Sequence, residues 1–446
     1  MHYDLIIKNG IIVTHIKTFK GDIAISDGKI CRSGELHHND IADDYYDADG
    51  KYILPGIIDA HVHFRDPGLT EKEDFETGSI AAAFGGVTTV VDMPNVIPIT
   101  STAQALKDKI KIAQKKSYVD FGLFALLTND NLDEMDKLKK LGALGFKVFF
   151  GTSTGDIACP SAEVLIQQME KSVKLNLRIG FHCETSDINS CFTSICKNKT
   201  KLSDAQLLAQ ARPVMSEALA VQTVIYYAEY TKAKIHIHHI TSNNGLLLIS
   251  EAKQKKMDIS TEVCPHYLLF DDTQNAHKVY PPIRGVEHNK ALWQALKKGE
   301  INFIASDHAP HTAAQKALPL WEAPAGLCGV ETFVPLMLNE VNKGRLTFND
   351  FVRFSSEAPA RVWDMYPQKG NLRDGADADI TIVDMNMKKV IRASELHSKS
   401  KTTPYEGMEV QGCPVSTLVR GKFVIKDGML TGVKGHGMHI KPRDLR

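Results

Sequence analysis

Between residues 56 and 310 the chain repeats one texture eight times, a short apolar run followed by a helical stretch. The runs are "GIIDAHVH" (56–63), "VTTVVDMP" (87–94), "YVDFGLFALL" (118–127), "LGFKVFF" (144–150), "LRIGFHCE" (177–184), "AKIHIHHIT" (233–241), "DISTEVCPH" (258–266) and "INFIASDHAP" (301–310). Stretches such as "DNLDEMDKLKKLG" and "SEALAVQTVIYYAEYTKA" lie between them. Strand–helix alternation specifies a parallel sheet, and eight such units predict an α/β chain closed as a (β/α)8 TIM barrel. Such barrels place their chemistry at the C-terminal ends of the strands. Those ends carry His61, His63, Asp92, Asn95, Lys147, His182, Glu184, His239, His266, Asp307 and His311. Residues scattered along the sequence would therefore converge in space.

The two chain ends have another texture. "DLIIKNGIIV" and "DIAISDGKI" near the start, and "ADITIVDM" and "STLVRGKFVIKDGML" near the end, are short strands with Asn-Gly and Asp-Gly hairpin signals. They predict a composite β-sandwich from residues 1–54 and 370–446, flanking a barrel over 55–369; separate small β units are the alternative. Lys+Arg and Asp+Glu balance at 53 each, which argues against a nucleic-acid or anionic-membrane partner held by bulk charge and leaves a local patch open. No apolar run approaches the roughly 18 residues of a membrane helix, and the start lacks the pattern of a secretory signal. Eight scattered cysteines without a CxxC pair predict reduced thiols and a cytoplasmic location.

In "IIDAHVHFRDPG", Asp59, His61 and His63 share one strand face, because residues two apart point the same way. Two inward imidazoles make a poor apolar core, and a shared cation would satisfy both. His182 and His239 gain weight only from their strand-end positions. In "HIHH" the choice is ambiguous, with His236 and His238 two apart on the strand and His239 nearest its end. Asp307 in "SDHAPH" leads into a loop, as a ligand or as a helix cap. The tail "GHGMH" reads as a solvated surface segment. Lys147 is the misfit: a charged, unpaired lysine on an inner strand costs several kcal/mol, and an ammonium has no lone pair for a metal. A carboxylated lysine, a carbamate able to bridge two cations, meets both constraints; a lysine paired with a nearby carboxylate is the alternative.

"DAHVHFRDPG", "EDFETGSIAAAFGGVTTVVDMPN", "GFKVFFG", "FHCE", "HHITS", "CPHYL" and "ASDHAPH" together resemble the amidohydrolase superfamily, and within it the dihydroorotases. The resemblance runs from about Leu54 to Thr332 and continues in "GADADITIVD" and "TPYEGMEVQGCPVSTLVRGK". It implies two zinc ions per chain, one on His61, His63 and Asp307 and one on His182 and His239, with N6-carboxylated Lys147 bridging them. It implies Asp307 as the catalytic acid–base. It further implies substrate contacts from Arg65, Asn95 and His311 and from the loop at Ala325 and Gly326. The implied reaction is the reversible interconversion of N-carbamoyl-L-aspartate and (S)-dihydroorotate in pyrimidine biosynthesis. A homo-oligomer is left open.

Two departures stand out. "KVYPPIR" puts Tyr280 where many dihydroorotases have a substrate-contacting Asn, and "APAGLCGVET" lacks the usual aromatic before its first glycine. Hydantoinases, dihydropyrimidinases and allantoinases share the metal site; Arg65 argues against them, because they generally lack an arginine after the HxH motif. A non-catalytic scaffold would have lost metal ligands, and all six expected positions are filled.

Overall fold

The computed structural model describes residues 1–151, 157–199, 201–274 and 278–445. The opening strands are β1 (His2–Val13), β2 (Thr18–Ser26), β3 (Lys29–Gly34), β4 (Ile41–Asp47) and β5 (Tyr52–Pro55). Eight barrel strands follow: β6 (Ile57–Val62), β7 (Val87–Asp92), β8 (Asp120–Leu126), β9 (Gly145–Phe150), β10 (Ile179–Cys183), β11 (Ile235–Ile237), β12 (Ile259–Val263) and β13 (Phe303–Ile304). The chain then returns to the first sheet with β14 (Ile380–Val390), β15 (Glu409–Val419), β16 (Lys422–Lys426) and β17 (Met429–Leu430). Among the described residues no helix is long and apolar enough to cross a membrane.

Each expected run contains one barrel strand, and each strand pairs in parallel with the next, from β6 through to β13. Helices cover the outside, so both faces of the strands are buried, as along the whole of "VTTVVD". Local signals place those helices. Asp74 and Thr102 cap helices Phe75–Phe84 and Ala103–Lys116 by accepting from the Thr77 and Ala105 amides. Gly142, at φ 98°, ends helix Met135–Leu141 in the left-handed conformation that glycine adopts freely.

The barrel closes at the seam between β6 and β13. Asp59 lies at this seam, where its Oδ1 accepts from the Ser306 amide at 3.0 Å. The His63 amide donates to His308 O at 2.7 Å, just past the end of β13. Asp59 shares the strand face of the two histidines, but its work is to close the barrel.

The two chain ends form one nine-stranded mixed sheet, in the order β17-β16-β15-β14-β5-β1-β2-β3, with β4 also paired to β1. Its strands enclose their own core of Leu5, Ile7, Ile12, Ile23, Ile53, Ile380, Ile382 and Leu418. Across that core Tyr46 of β4 donates to Asp427 at 2.7 Å and lies 3.2 Å from Ser416 of β15.

The tail "GHGMH" corrects the expectation of a solvated segment. It runs against the start of β8, with the Phe121 amide donating to Met438 O at 3.0 Å and the Ile440 amide to Phe121 O at 2.8 Å. Gly437 permits this approach, because a Cβ there would stand 2.0 Å from Val119 O. Alongside lies a buried charge knot. The Lys369 ammonium meets Asp120 at 2.5 Å, Asp377 at 2.9 Å and Asp379 at 2.6 Å. Arg420 also pairs with Asp120, and Lys29 with Asp377. Lys369→Met should lower stability by about 3–5 kcal/mol, because it strands buried carboxylates without their cation. Urea denaturation checks this; a loss below about 1 kcal/mol would mean that the knot contributes little.

Candidate active site

A pocket at the C-terminal mouth of the barrel is lined by His61, His63, Arg65, Asn95, Lys147, His182, His239, Tyr280, Asp307, Ala325 and Gly326, among others. Every candidate metal-ligating residue is thus at one place, together with four of the five candidate substrate contacts. The fifth, His311, is buried just behind: its Nε2 lies 3.0 Å from Ala325 O and 3.4 Å from the Arg65 guanidinium. Arg65, His239 and Asp307 adopt positive φ values of 61°, 34° and 47°. Such left-handed non-glycine residues cost about 1–3 kcal/mol each and cluster at functional sites. All three lie just past a strand end, where the turn redirects the side chain into the mouth.

Ligand-capable atoms converge in two groups. His61 Nε2 and His63 Nε2 lie 3.4 and 3.3 Å from Asp307 Oδ1, and the three residues form one cluster with metal-holding geometry. Opposite them, His182 Nδ1 lies 3.0 Å from His239 Nε2. Burial pushes all four imidazoles toward the neutral form, most strongly His61 and His239. Neutral imidazole is the form that ligates metal.

Two orphaned atoms test whether a cation fits. Lys147 Nζ is buried with no hydrogen-bond partner, and no carboxylate pairs with it among the described residues, against the ion-pair alternative. Burial lowers its pKa to about 8, so the neutral amine that adds carbon dioxide is accessible. His239 Nδ1 is also buried without a partner among the described residues. If Nδ1 carries the His239 proton, two ring lone pairs face each other at the 3.0 Å contact, an arrangement that a cation between them relieves. The donor set fits zinc.

Partners behind the pocket set the rings. Glu262 of β12 collects His61 Nδ1, His236 Nε2 at 3.1 Å and His238 Nδ1 at 3.1 Å. His236 and His238 therefore both turn to Glu262, and only His239 reaches the pocket. Gly180 of β10 leaves room for His238, since a Cβ there would meet its Nε2 at 2.2 Å. Gly180→Ala should cost about 1–3 kcal/mol by overpacking, read from urea denaturation; an unchanged midpoint would show that the His238 ring yields freely. His63 Nδ1 lies 2.7 Å from Asn95 Oδ1, so Asn95 orients a ring as well as lining the pocket. Glu184 lies 3.0 Å from His182 Nε2. Burial would raise the Glu184 carboxyl, but the Arg212 charge and the hydrogen bonds from His182 and Arg212 pull it down to about 2. Asp92 instead accepts from the Phe64 amide at 2.6 Å and pairs with Lys109 at 2.5 Å, bracing the turn after β6.

Arg65 is 2% exposed. Its Nε donates to Pro310 O at 3.3 Å, and among the described residues it has no acidic partner. Asp66, the obvious neighbour, pairs with Lys116 at 2.7 Å instead. Burial lowers the Arg65 pKa to about 10, which leaves the guanidinium charged at neutral pH.

A parallel eight-stranded barrel with His, Asp and Lys groups at its mouth defines a class of hydrolase. The chain belongs to the amidohydrolase family, whose sequence pattern matches residues 52–424. It is 35% identical over 427 residues to a dihydroorotase of Methanothermobacter thermautotrophicus, covering 94% of each chain. It is 35% identical over 413 residues to a dihydroorotase of Bacillus cytotoxicus, covering 90% of this chain and 94% of that one. Among solved structures, the L-hydantoinase (dihydropyrimidinase) of Arthrobacter aurescens superposes with a TM-score of 0.95 at 32% identity, covering 98% of this chain and 100% of that one. The chain is a cyclic amidohydrolase.

Proposed function

We propose that the chain is a zinc-dependent dihydroorotase, interconverting N-carbamoyl-L-aspartate and (S)-dihydroorotate. The observation that carries this reading is Arg65, a buried cation at the pocket with no acidic partner among the described residues. Its planar fork suits a substrate carboxylate held by two hydrogen bonds. Dihydroorotate carries that carboxylate on its ring, whereas simple hydantoins and dihydrouracil do not.

His61, His63 and Asp307 would hold one zinc ion, His182 and His239 a second, and carboxylated Lys147 both. Bound zinc supplies a Lewis acid for the ring carbonyl and acidifies water. The remaining work belongs to the chain. Arg65 binds the carboxylate and sets the ring's orientation, with His311, Ala325 and Gly326 forming the wall beside it. Asn95 holds the His63 ring through its oxygen and offers its amide nitrogen to substrate. In the hydrolytic direction Asp307 accepts the proton of the attacking water and returns it to the leaving ring nitrogen. Metal analysis of protein purified without chelator should give two zinc ions per chain; one ion with full activity would overturn the binuclear assignment.

The hydantoinase reading is favoured by the structural likeness alone, and Arg65 separates the two. Arg65→Met should cost about 2–5 kcal/mol in kcat/KM for dihydroorotate, the scale for breaking a buried charge pair, and leave zinc content unchanged. Turnover of uncharged hydantoins or dihydrouracil, where detectable, should fall far less. Equal losses on charged and uncharged substrates would make Arg65 structural and return the assignment to the hydantoinases.

A further inference from the structure

Behind the pocket, one chain of contacts joins a ligand ring to the wall that faces substrate. Glu184, fully buried just past β10, lies 3.0 Å from His182 Nε2 through its Oε2. Arg212 Nε donates to both oxygens of Glu184, at 2.9 and 3.0 Å, and a terminal guanidinium nitrogen donates to Oε2. The Arg212 guanidinium sits over the Tyr280 ring, its carbon 3.6 Å from the ring centroid, and Tyr280 lines the pocket. Arg284 anchors the Arg212 backbone from behind, donating to Arg212 O at 2.8 Å and to Thr241 Oγ1 at 2.8 Å.

The chemistry of this chain is directional. An ionised carboxylate only accepts hydrogen bonds, so the His182 nitrogen that meets Glu184 must carry the ring proton. That leaves Nδ1, the atom facing His239, with its lone pair for a cation. Carboxylate–histidine–metal arrangements fix ring orientation in this way. Glu184 can hold this role in a dry site only while Arg212 balances it, since a buried unpaired carboxylate is costly. The opposite side of Arg212 supports Tyr280, whose position is the departure noted in "KVYPPIR".

We propose that Glu184 and Arg212 are positioning residues that hold His182 in its cation-binding tautomer, and that the same guanidinium, through Tyr280, keeps the substrate-facing wall in register with that ligand. The proposal rests on the reading of His182 as a zinc ligand. It divides the three residues by readout: Glu184 governs zinc retention, Tyr280 governs substrate affinity, and Arg212 governs both.

The test measures zinc affinity by chelator competition on the zinc-loaded protein, alongside kcat and KM for dihydroorotate. Glu184→Gln can offer an amide N–H to the ring and so release the tautomer. It should weaken zinc binding by about 10–100-fold, the range for partners of metal-bound histidines. Tyr280→Leu should raise KM several-fold and leave the chelator curve unchanged. Arg212→Met should do both, and Arg212→Lys should recover most of the zinc affinity but not KM. Wild-type zinc affinity in folded Glu184→Gln would overturn the proposal, as would zinc loss in Tyr280→Leu equal to that in Arg212→Met. If Arg212→Met does not fold, the near-isosteric Glu184→Gln decides. The chelator arm needs no turnover. A wild type that binds two zinc ions but ignores dihydroorotate would refute the substrate assignment and still test the relay.

Discussion

Asp307→Asn is expected to fold normally and to lose turnover by roughly 10²–10⁴-fold, the usual contribution of a positioned acid–base group. The substitution is a fair probe of chemistry. Asn tolerates the left-handed backbone that Asp307 adopts at φ 47°, and its shape matches the carboxylate. It removes the negative charge and the proton acceptor together. Steady-state rates with zinc content measured on the same sample separate the two losses. Near-normal turnover with full zinc would refute the acid–base role, whereas a deeper loss with zinc depleted would show that Asp307 acts mainly as a ligand.

Lys147→Ala should lower turnover by several kcal/mol, on the order of 10³ or more, because it removes the group proposed to join the two cations. Bound zinc should fall below two ions per chain. A short carboxylate restores the effect only if it enters from solution: added acetate should rescue part of the activity if a carbamate oxygen is what is missing. The same experiment distinguishes carboxylation from a plain amine. A crystal structure of active, zinc-filled protein with an unmodified ammonium at Lys147 would end the carbamate assignment.

The barrel was legible because parallel strands covered on both faces read as short, largely apolar runs, and eight such runs alternating with helical stretches leave few alternatives. The ligand histidines were legible because each breaks that rule at a strand end. Glu262 gave the same signal, a carboxylate within a buried strand, and it was not singled out. Arg212 gave none, because it stands in a helical region and meets Glu184 only through the fold. Asp59 was legible as an inward residue but not as a seam, since a single strand does not show which neighbour closes against it. The tail was misread because its polar composition hides Gly437, whose missing side chain is what lets the backbone approach Val119.

The charge knot under the barrel bears on how the protein is made. Asp120 belongs to the third barrel strand, but its partners Lys369 and Arg420 lie 249 and 300 residues further along. At ribosomal rates of about 5–20 residues per second, the eighth barrel strand has emerged well before Arg420. Until Lys369 emerges Asp120 has neither of these partners, and until β14 and β15 follow, the sheet edge at β5 is unfilled. Completion is therefore a late event, timed by the arrival of the C-terminal strands. Chains released early should be poor folders and clients for chaperones even though every proposed zinc ligand is already in them.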